Sequence, residues 1–426
     1  MGWPDLPAGT RSHDPLFPHM VDERRSLRIL LGTDTYPPDM NGTARSVQRL
    51  ASELVMRGHE VHVVCQSDHG PPRVESVDGV RIHRLRSVPV FGRPMARVTA
   101  PVWSRGTVER VIGRIAPDVV HVQGHLIVGR TVLGAALRSG IPVVATGHVA
   151  PDRLFRRRGV PARVRAVAAD LAWHDLARVF NGADHVTVPT AIAADLFRGR
   201  GLTRPVEPVV HGVDPSRFRP RERAKASVRR ELGLPERATA LYVGRLGADR
   251  RLEDLVRALP YVCRRTDAQV VLAGAGLQRP RLERLADEVG VADRLCFLSP
   301  VTERDLHLTY ASADVFAVPG VAGLQSVATL EAMASGLPVV AAVADALAHL
   351  VRSGSTGYLY RPGDVAALAR HLTCVLTDPC RRATMGGVCR AIAVTHDHLR
   401  SLARFEEIYA SLAQASRRRL AGERAG

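Results

Sequence analysis

The chain has 426 residues, 46% of them hydrophobic and 24% charged, a composition that fits a folded protein too long for one core, so two domains are expected. Lysine plus arginine outnumber aspartate plus glutamate 59 to 42, a formal net charge of +17, and Lys225 is the single lysine. No apolar run approaches the ~20 residues that span a bilayer, the six cysteines (65, 263, 296, 374, 380 and 389) form no C-x-x-C pair or Cys/His cluster with metal-ligand spacing, and an aromatic content of 4% speaks against base-stacking platforms, so nucleic acid is not the expected partner.

Residues 1–26 are rich in Pro, His and charge without an apolar h-region, so they read as a disordered tail and not as a secretory signal. Residues 27–31 form a short apolar strand that ends at Gly32. The loop "TDTYPPDMNGTARS" follows, then a helix over 44–56 with Val47, Leu50, Ala51 and Leu54 on one face. The strand at 61–65 completes a βαβ unit. Strands are expected next at 80–85, 119–122, 143–146 and 185–188, with one helix after Val122 and another over 161–181. They are apolar and β-branched, as strands covered on both faces must be.

After a Pro- and Arg-rich linker the pattern restarts. Strands are expected at 241–243, 270–273, 295–298, 315–318 and 339–343, separated by helices at 251–264, 280–289, 303–311 and 329–335. The chain thus reads as α/β, two doubly wound units: an N-terminal domain over 27–212 and a C-terminal domain over 213–392. Residues 393–426 read as a helix crossing back to the first domain, followed by a basic tail. Ligands of such sheets sit beyond the carboxyl ends of the strands, so two facing units make an interdomain cleft.

Three glycine-bearing turns lie at strand ends: Gly32 to Gly42, Gly244-Arg245 and Gly274-Ala275-Gly276. Glycine there lets backbone N–H groups approach a phosphate, although each turn alone is equally an ordinary βα connection. "GAGLQR" lacks the third glycine of the dinucleotide fingerprint, so a nicotinamide cofactor is poorly supported. Arg245 follows a strand directly and Arg250 lies five residues on; both can reach one diphosphate, or Arg250 can simply begin a solvated helix. Glu331 is a lone acid in a helix that stops at Gly336-Leu337-Pro338.

The C-terminal half contains "YVGRLGADRRLEDLVRAL", "VLAGAGLQRPRLERLA", "FLSPVTERDLHLTYASADVFAVPG" and "LEAMASGLPVVA", and the N-terminal half "PDVVHVQGH", "VVATGHVAPDRLF" and "VHGVDPSRFRP". In these segments, over about residues 27–412, the chain resembles the family 4 retaining glycosyltransferases, in particular actinobacterial members, which have the GT-B architecture of two Rossmann-like domains facing across a cleft. The resemblance implies that the Gly42 loop, Arg245 and Arg250 meet the donor diphosphate. It implies that backbone N–H groups of Leu324, Gln325 and Ser326 add phosphate contacts, and that Glu331 holds the nucleotide ribose. His148, otherwise readable as a structural histidine, matches a family histidine near the reacting sugar. Three positions depart from the family pattern. Gly323 stands where a glutamate contacting the donor sugar is usual, Arg250 stands for a lysine, and Gly147 for an asparagine common among actinobacterial members.

The implied activity is retaining transfer of a hexose-type sugar from a UDP- or GDP-sugar to an acceptor hydroxyl, with no cofactor and no metal. Gly323 points to an amino or N-acetylamino sugar. The segment from Arg153 to Arg165 holds six arginines directly after His148. It fits docking on anionic lipid head groups and equally a solvated basic helix. The expected acceptor is a membrane glycolipid or phospholipid, and the expected location the cytoplasm with peripheral contact at the inner membrane face. Two alternatives stand beside this: a natural-product transferase of the aminoglycoside type acting on a soluble acceptor, and a non-catalytic nucleotide-sugar-binding protein.

Overall fold

The computed structural model describes residues 26–425 apart from 40, 91–92, 152–160, 222–224, 300, 303–304, 321–323, 344–346 and 348. The tail ahead of Ser26, Gly323 and most of the arginine segment from Arg153 lie outside the described residues.

The first half contains β1 (Arg28–Gly32), α1 (Gly42–Met56), β2 (Glu60–Gln66), β3 (Arg73–Val77), β4 (Val80–Leu85), β5 (Val88–Val90), β6 (Arg93–Val98), α2 (Pro101–Ile115), β7 (Val119–Val122), α3 (Ile127–Arg138), β8 (Val143–Thr146), α4 (Ala162–Phe180), β9 (His185–Val188), α5 (Ala191–Arg198) and β10 (Val206–Pro208). Eight of the strands form one sheet in the order β10-β9-β8-β7-β1-β2-β4-β3, parallel except for the β3–β4 hairpin. Side-chain alternation makes it two-faced: Leu30 packs into a core with Val120, Val132 and Phe180, whereas Ile29 and Leu31 face a second core with Val47, Ala51 and Leu54 of α1.

The second half contains α6 (Lys225–Glu231), β11 (Ala238–Val243), α7 (Leu252–Cys263), β12 (Ala268–Ala273), α8 (Arg279–Glu288), β13 (Leu295–Leu298), α9 (Leu306–Ala311), β14 (Val315–Val318), α10 (Val327–Ala334), β15 (Val339–Ala342), β16 (Gly357–Tyr360), α11 (Val365–Leu376), α12 (Pro379–Thr395) and α13 (His398–Ala425). Its six strands run β13-β12-β11-β14-β15-β16, every pair parallel, which is the doubly wound order with its reversal between β11 and β14. In the first sheet the chain leaves β1 towards opposite edges, and the corresponding reversal lies between β1 and β7. Crevices open at such reversals because the two adjoining loops turn to opposite sides of the sheet.

The halves are tied at several places. Linker residue Val213 pairs with Asp397: Val213 N donates to His396 O (2.9 Å), and His398 N donates to Val213 O (3.0 Å). Helix α13 then lies on the first sheet, where Leu402, Phe405, Ile408, Tyr409 and Ala413 finish the core begun by α1. Leu324, ahead of α10, is buried in the other core of the N-terminal sheet, and Thr190 donates to its carbonyl (3.3 Å). Among the described residues, no helix is long and apolar enough to cross a membrane.

Candidate functional site

The loop after β11 carries Arg245 and Arg250 at one side of the C-terminal reversal, and the loop after β14 leads into α10 and Glu331 at the other. Arg245 is exposed; its Nη2 donates to Asp249 Oδ1 (2.6 Å), and Arg250 Nε lies 3.3 Å from the other oxygen of the same carboxylate. Both guanidinium groups therefore converge on one anion. Gly320 brings the two loops together, since a Cβ there would stand 2.8 Å from the Arg250 backbone. Ser326 caps α10 by accepting from Thr329 N (3.3 Å), and Glu331, one turn further on, is buried and accepts from the Tyr310 hydroxyl of α9 (2.7 Å).

Gly42 opens α1 next to the N-cap Asn41, whose Oδ1 accepts from Ala44 N (2.9 Å), and among the described residues nothing lies within 4 Å of the place a Gly42 Cβ would take. That leaves open space at a helix N-terminus, where anions are favoured. In the "GAG" turn the packing itself requires glycine. A Cβ on Gly274, whose φ is +144°, would stand 2.1 Å from Gly244 O, so glycine there lets the ends of β11 and β12 pack backbone to backbone. That close packing is a sufficient reason for the glycine. Gly147 is explained in the same way, because a Cβ would enter the Phe197 ring at 2.5 Å; asparagine has no room in this core.

His148 lies two residues beyond the end of β8 and is partly exposed, but both ring nitrogens are engaged. Nε2 lies 2.6 Å from Gln123 Oε1 and Nδ1 lies 3.1 Å from His211 Nε2, the two rings being nearly parallel at 11°. Behind them His121 is fully buried between the Tyr409 hydroxyl and Thr146 Oγ1, each at 2.6 Å. Burial pushes His148 down to about 4 and His121 to about 3, and holds His211 well below the ordinary histidine range, assisted by its neighbours His148 and Arg49. All three are neutral at pH 7, so this cluster offers hydrogen bonds and not charge.

A pH dependence follows. Each of these histidines binds a proton more readily unfolded, near 6.5, than folded, so its contribution is complete above about 6.5 and is lost as pH falls towards 4 for His148 and 3 for His121. Asp34 and Glu53, raised by burial, act with the opposite sign, so the comparison must be differential. His148→Gln is expected to show a shallower fall in melting temperature between pH 6.5 and 4.5 than wild type. Superimposable profiles would contradict it.

The structure places Arg245 and Arg250 on the loop after β11, packed through Gly320 against the loop that leads to Gln325, Ser326 and Glu331; Leu324 is buried against the N-terminal sheet, and His148 and Gly42 stand on carboxyl-end loops of the facing domain. Sequence reasoning missed Gln123, His211, Asp249 and Tyr310. "VHVQGH" and "HGVD" did contain the first two, but neither has a spacing that announces a hydrogen bond.

Comparison with known proteins bears on the family and the fold. Residues 40–217 match the family described as Glycosyltransferase Family 4, and residues 225–387 match Glycosyl transferases group 1. A D-inositol 3-phosphate glycosyltransferase of Salinispora arenicola is 31% identical, with 87% of each chain covered. A GDP-mannose-dependent alpha-mannosyltransferase of Mycolicibacterium smegmatis is 30% identical over 78% of this chain and 84% of its own. Among solved structures, sucrose-phosphate synthase from Thermosynechococcus elongatus superposes with a TM-score of 0.76 at 23% identity, over 92% of this chain and 100% of that one, which shows the shared fold. The chain belongs to glycosyltransferase family 4, as a GT-B enzyme that transfers a sugar from a nucleotide sugar.

Proposed function

We propose that the enzyme is a retaining hexosyltransferase that uses a UDP- or GDP-sugar and places the sugar on a hydroxyl of an anionic acceptor, a phosphorylated polyol or a phospholipid head group. The observation that carries the donor half is the convergence of Arg245 and Arg250 on one carboxylate at the sheet reversal, with Glu331 on the adjoining helix. A diphosphate exchanged for that carboxylate would meet two guanidinium groups that neutralise its developing charge in the transition state. In this reading the arginines take the place of a divalent cation, and turnover survives chelation by EDTA. The acceptor half is supported by relatives named for D-inositol 3-phosphate and for phosphatidylinositol monomannoside. Gly323 favours a donor whose sugar carries an amino or N-acetylamino group, because the family carboxylate that would bind a plain hydroxyl is replaced there.

A thermal-shift panel of UDP, GDP, UDP-glucose, UDP-N-acetylglucosamine and GDP-mannose tests the donor. A ligand at 100 times its dissociation constant stabilises by about 2.7 kcal/mol, and a panel with no shift would remove the donor assignment. The anomeric configuration of the product, read by NMR, decides retention.

Membrane contact is the finer part of the proposal. The start of α4 is wholly exposed from Ala162 to Val167, and Val164, Val167 and Leu171 recur on one face beside Arg163 and Arg165. Apolar residues flanked by arginine suit an anionic bilayer surface, at roughly 1 kcal/mol per basic residue. Co-sedimentation with phosphatidylglycerol vesicles is expected to fall at least about tenfold in Arg163→Glu/Arg165→Glu, and phosphatidylcholine vesicles should bind neither protein. Equal binding of both proteins to phosphatidylglycerol would refute it.

A further inference from the structure

His211 has a place in the site that its sequence position, in the linker between domains, does not suggest. Gln325 grips its main chain twice: His211 N donates to Gln325 Oε1 and Gln325 Nε2 donates to His211 O, both at 3.0 Å. One amide thereby fixes both polar groups of the His211 peptide backbone from the loop that leads into α10. Arg49 of α1 holds the next residue, donating to Gly212 O. With its backbone clamped from two domains, the His211 ring lies against His148, its Nε2 3.1 Å from Nδ1 and the two ring planes 11° from parallel.

Hydrogen bookkeeping then fixes both tautomers. The Gln123 amide nitrogen is turned to the His121 ring, 3.1 Å away, so its oxygen faces His148. An amide oxygen only accepts, hence His148 carries its proton on Nε2. His148 Nδ1 is then a bare acceptor, and the ring nitrogen that meets it, His211 Nε2, must donate. We propose that His211 is a positioning residue: it occupies the lone pair on His148 Nδ1 and so holds that ring with its proton on Nε2, bonded to Gln123, unable to act as a base. The inference rests on the reading of His148 as a residue beside the reacting sugar. It goes further in giving His148 one polarity and in naming the chain Gln325, His211, His148 by which the loop leading into α10 sets it.

Replacing His211 tests this. Glutamine reaches as far as the ring and carries an N–H, so His211→Gln should keep the arrangement; His211→Leu keeps bulk and loses the donor. The backbone clamp by Gln325 is common to all three proteins. In histidine-labelled protein, two-bond proton–nitrogen correlations report each ring's tautomer, the His148 signals being those missing from His148→Gln. Wild type and His211→Gln should show His148 protonated on Nε2, and His211→Leu should lose that single form. Turnover is followed as nucleoside diphosphate release from whichever of UDP-glucose, UDP-N-acetylglucosamine or GDP-mannose wild type consumes. His211→Leu should lose about tenfold to a hundredfold in kcat, with donor KM within about threefold, and His211→Gln should recover most of it. An unchanged tautomer or an unchanged kcat in His211→Leu overturns the proposal. A wild type that neither consumes nor is stabilised by any of these donors would instead strike the donor reading, and the tautomer comparison would still judge His211.

Discussion

Arg245→Ala is expected to lower turnover at least about a hundredfold while leaving the melting temperature of the ligand-free protein near wild type. The two halves of this expectation have different origins. In the transfer step negative charge accumulates on the leaving diphosphate, and loss of one preorganised donor at such a centre costs about 3–4 kcal/mol in comparable sites. Stability is spared because the Arg245 side chain is about half exposed and its partner Asp249 more so, and an exposed ion pair contributes roughly 0–1 kcal/mol. The hydrogen bond from Tyr242 to this residue goes to the backbone carbonyl, which alanine retains. Arg245→Lys should recover part of the rate, since it restores charge without the bidentate fork. Turnover of Arg245→Ala within a factor of three of wild type would take Arg245 out of the mechanism.

The backbone order of this fold was largely legible because its strands are buried on both faces. Val119–Val122, Val143–Thr146, His185–Val188, Leu295–Leu298 and Val315–Val318 stand where their short, mostly apolar or β-branched segments put them. Elements that escaped notice lack such segments. Helix α2 contains Gly106 and Gly113, and its buried stripe reduces to Ser104, Val108, Ile112 and Ile115. Strand β3, "RVESV", sits at the sheet edge with its side chains largely in water, and β16, "GYLY", is an edge strand whose two central residues are only half-buried. The site was legible where chemistry is local to a motif, as for Arg245 beside its strand. It was not legible where function depends on residues far apart in sequence. Gln325 and His211 are separated by 114 positions, Tyr310 and Glu331 by 21, and no periodicity encodes either contact. Asp249 was hidden for a different reason: four residues after an arginine it reads as an ordinary helical ion pair, and only the fold shows Arg250 on its other oxygen.

The Tyr310 contact changes what should be expected of Glu331. From sequence alone, Glu331→Ala would be predicted to cost donor affinity and little stability. The structure makes this carboxylate a buried acceptor for the hydroxyl of a tyrosine that is itself fully buried between Phe218 and Phe316. Alanine would remove that acceptor as well as the ribose ligand, and a buried polar group deprived of its partner costs about 1–3 kcal/mol. Glu331→Ala should therefore melt lower than wild type and bind nucleotide poorly, two effects one variant cannot separate. Glu331→Gln can separate them. Its amide oxygen still accepts from Tyr310, so the melting temperature should stay closer to wild type than that of the alanine variant. What it lacks is the charge that strengthens hydrogen bonds from a ribose diol, about 1.5–3 kcal/mol for charge-assisted bonds, or roughly tenfold to a hundredfold in affinity. Calorimetric titration with UDP and GDP, beside melting curves of both variants, measures each part. If Glu331→Gln binds both nucleotides as tightly as wild type, then Glu331 belongs to the core of the C-terminal domain alone, and the ribose must be held elsewhere.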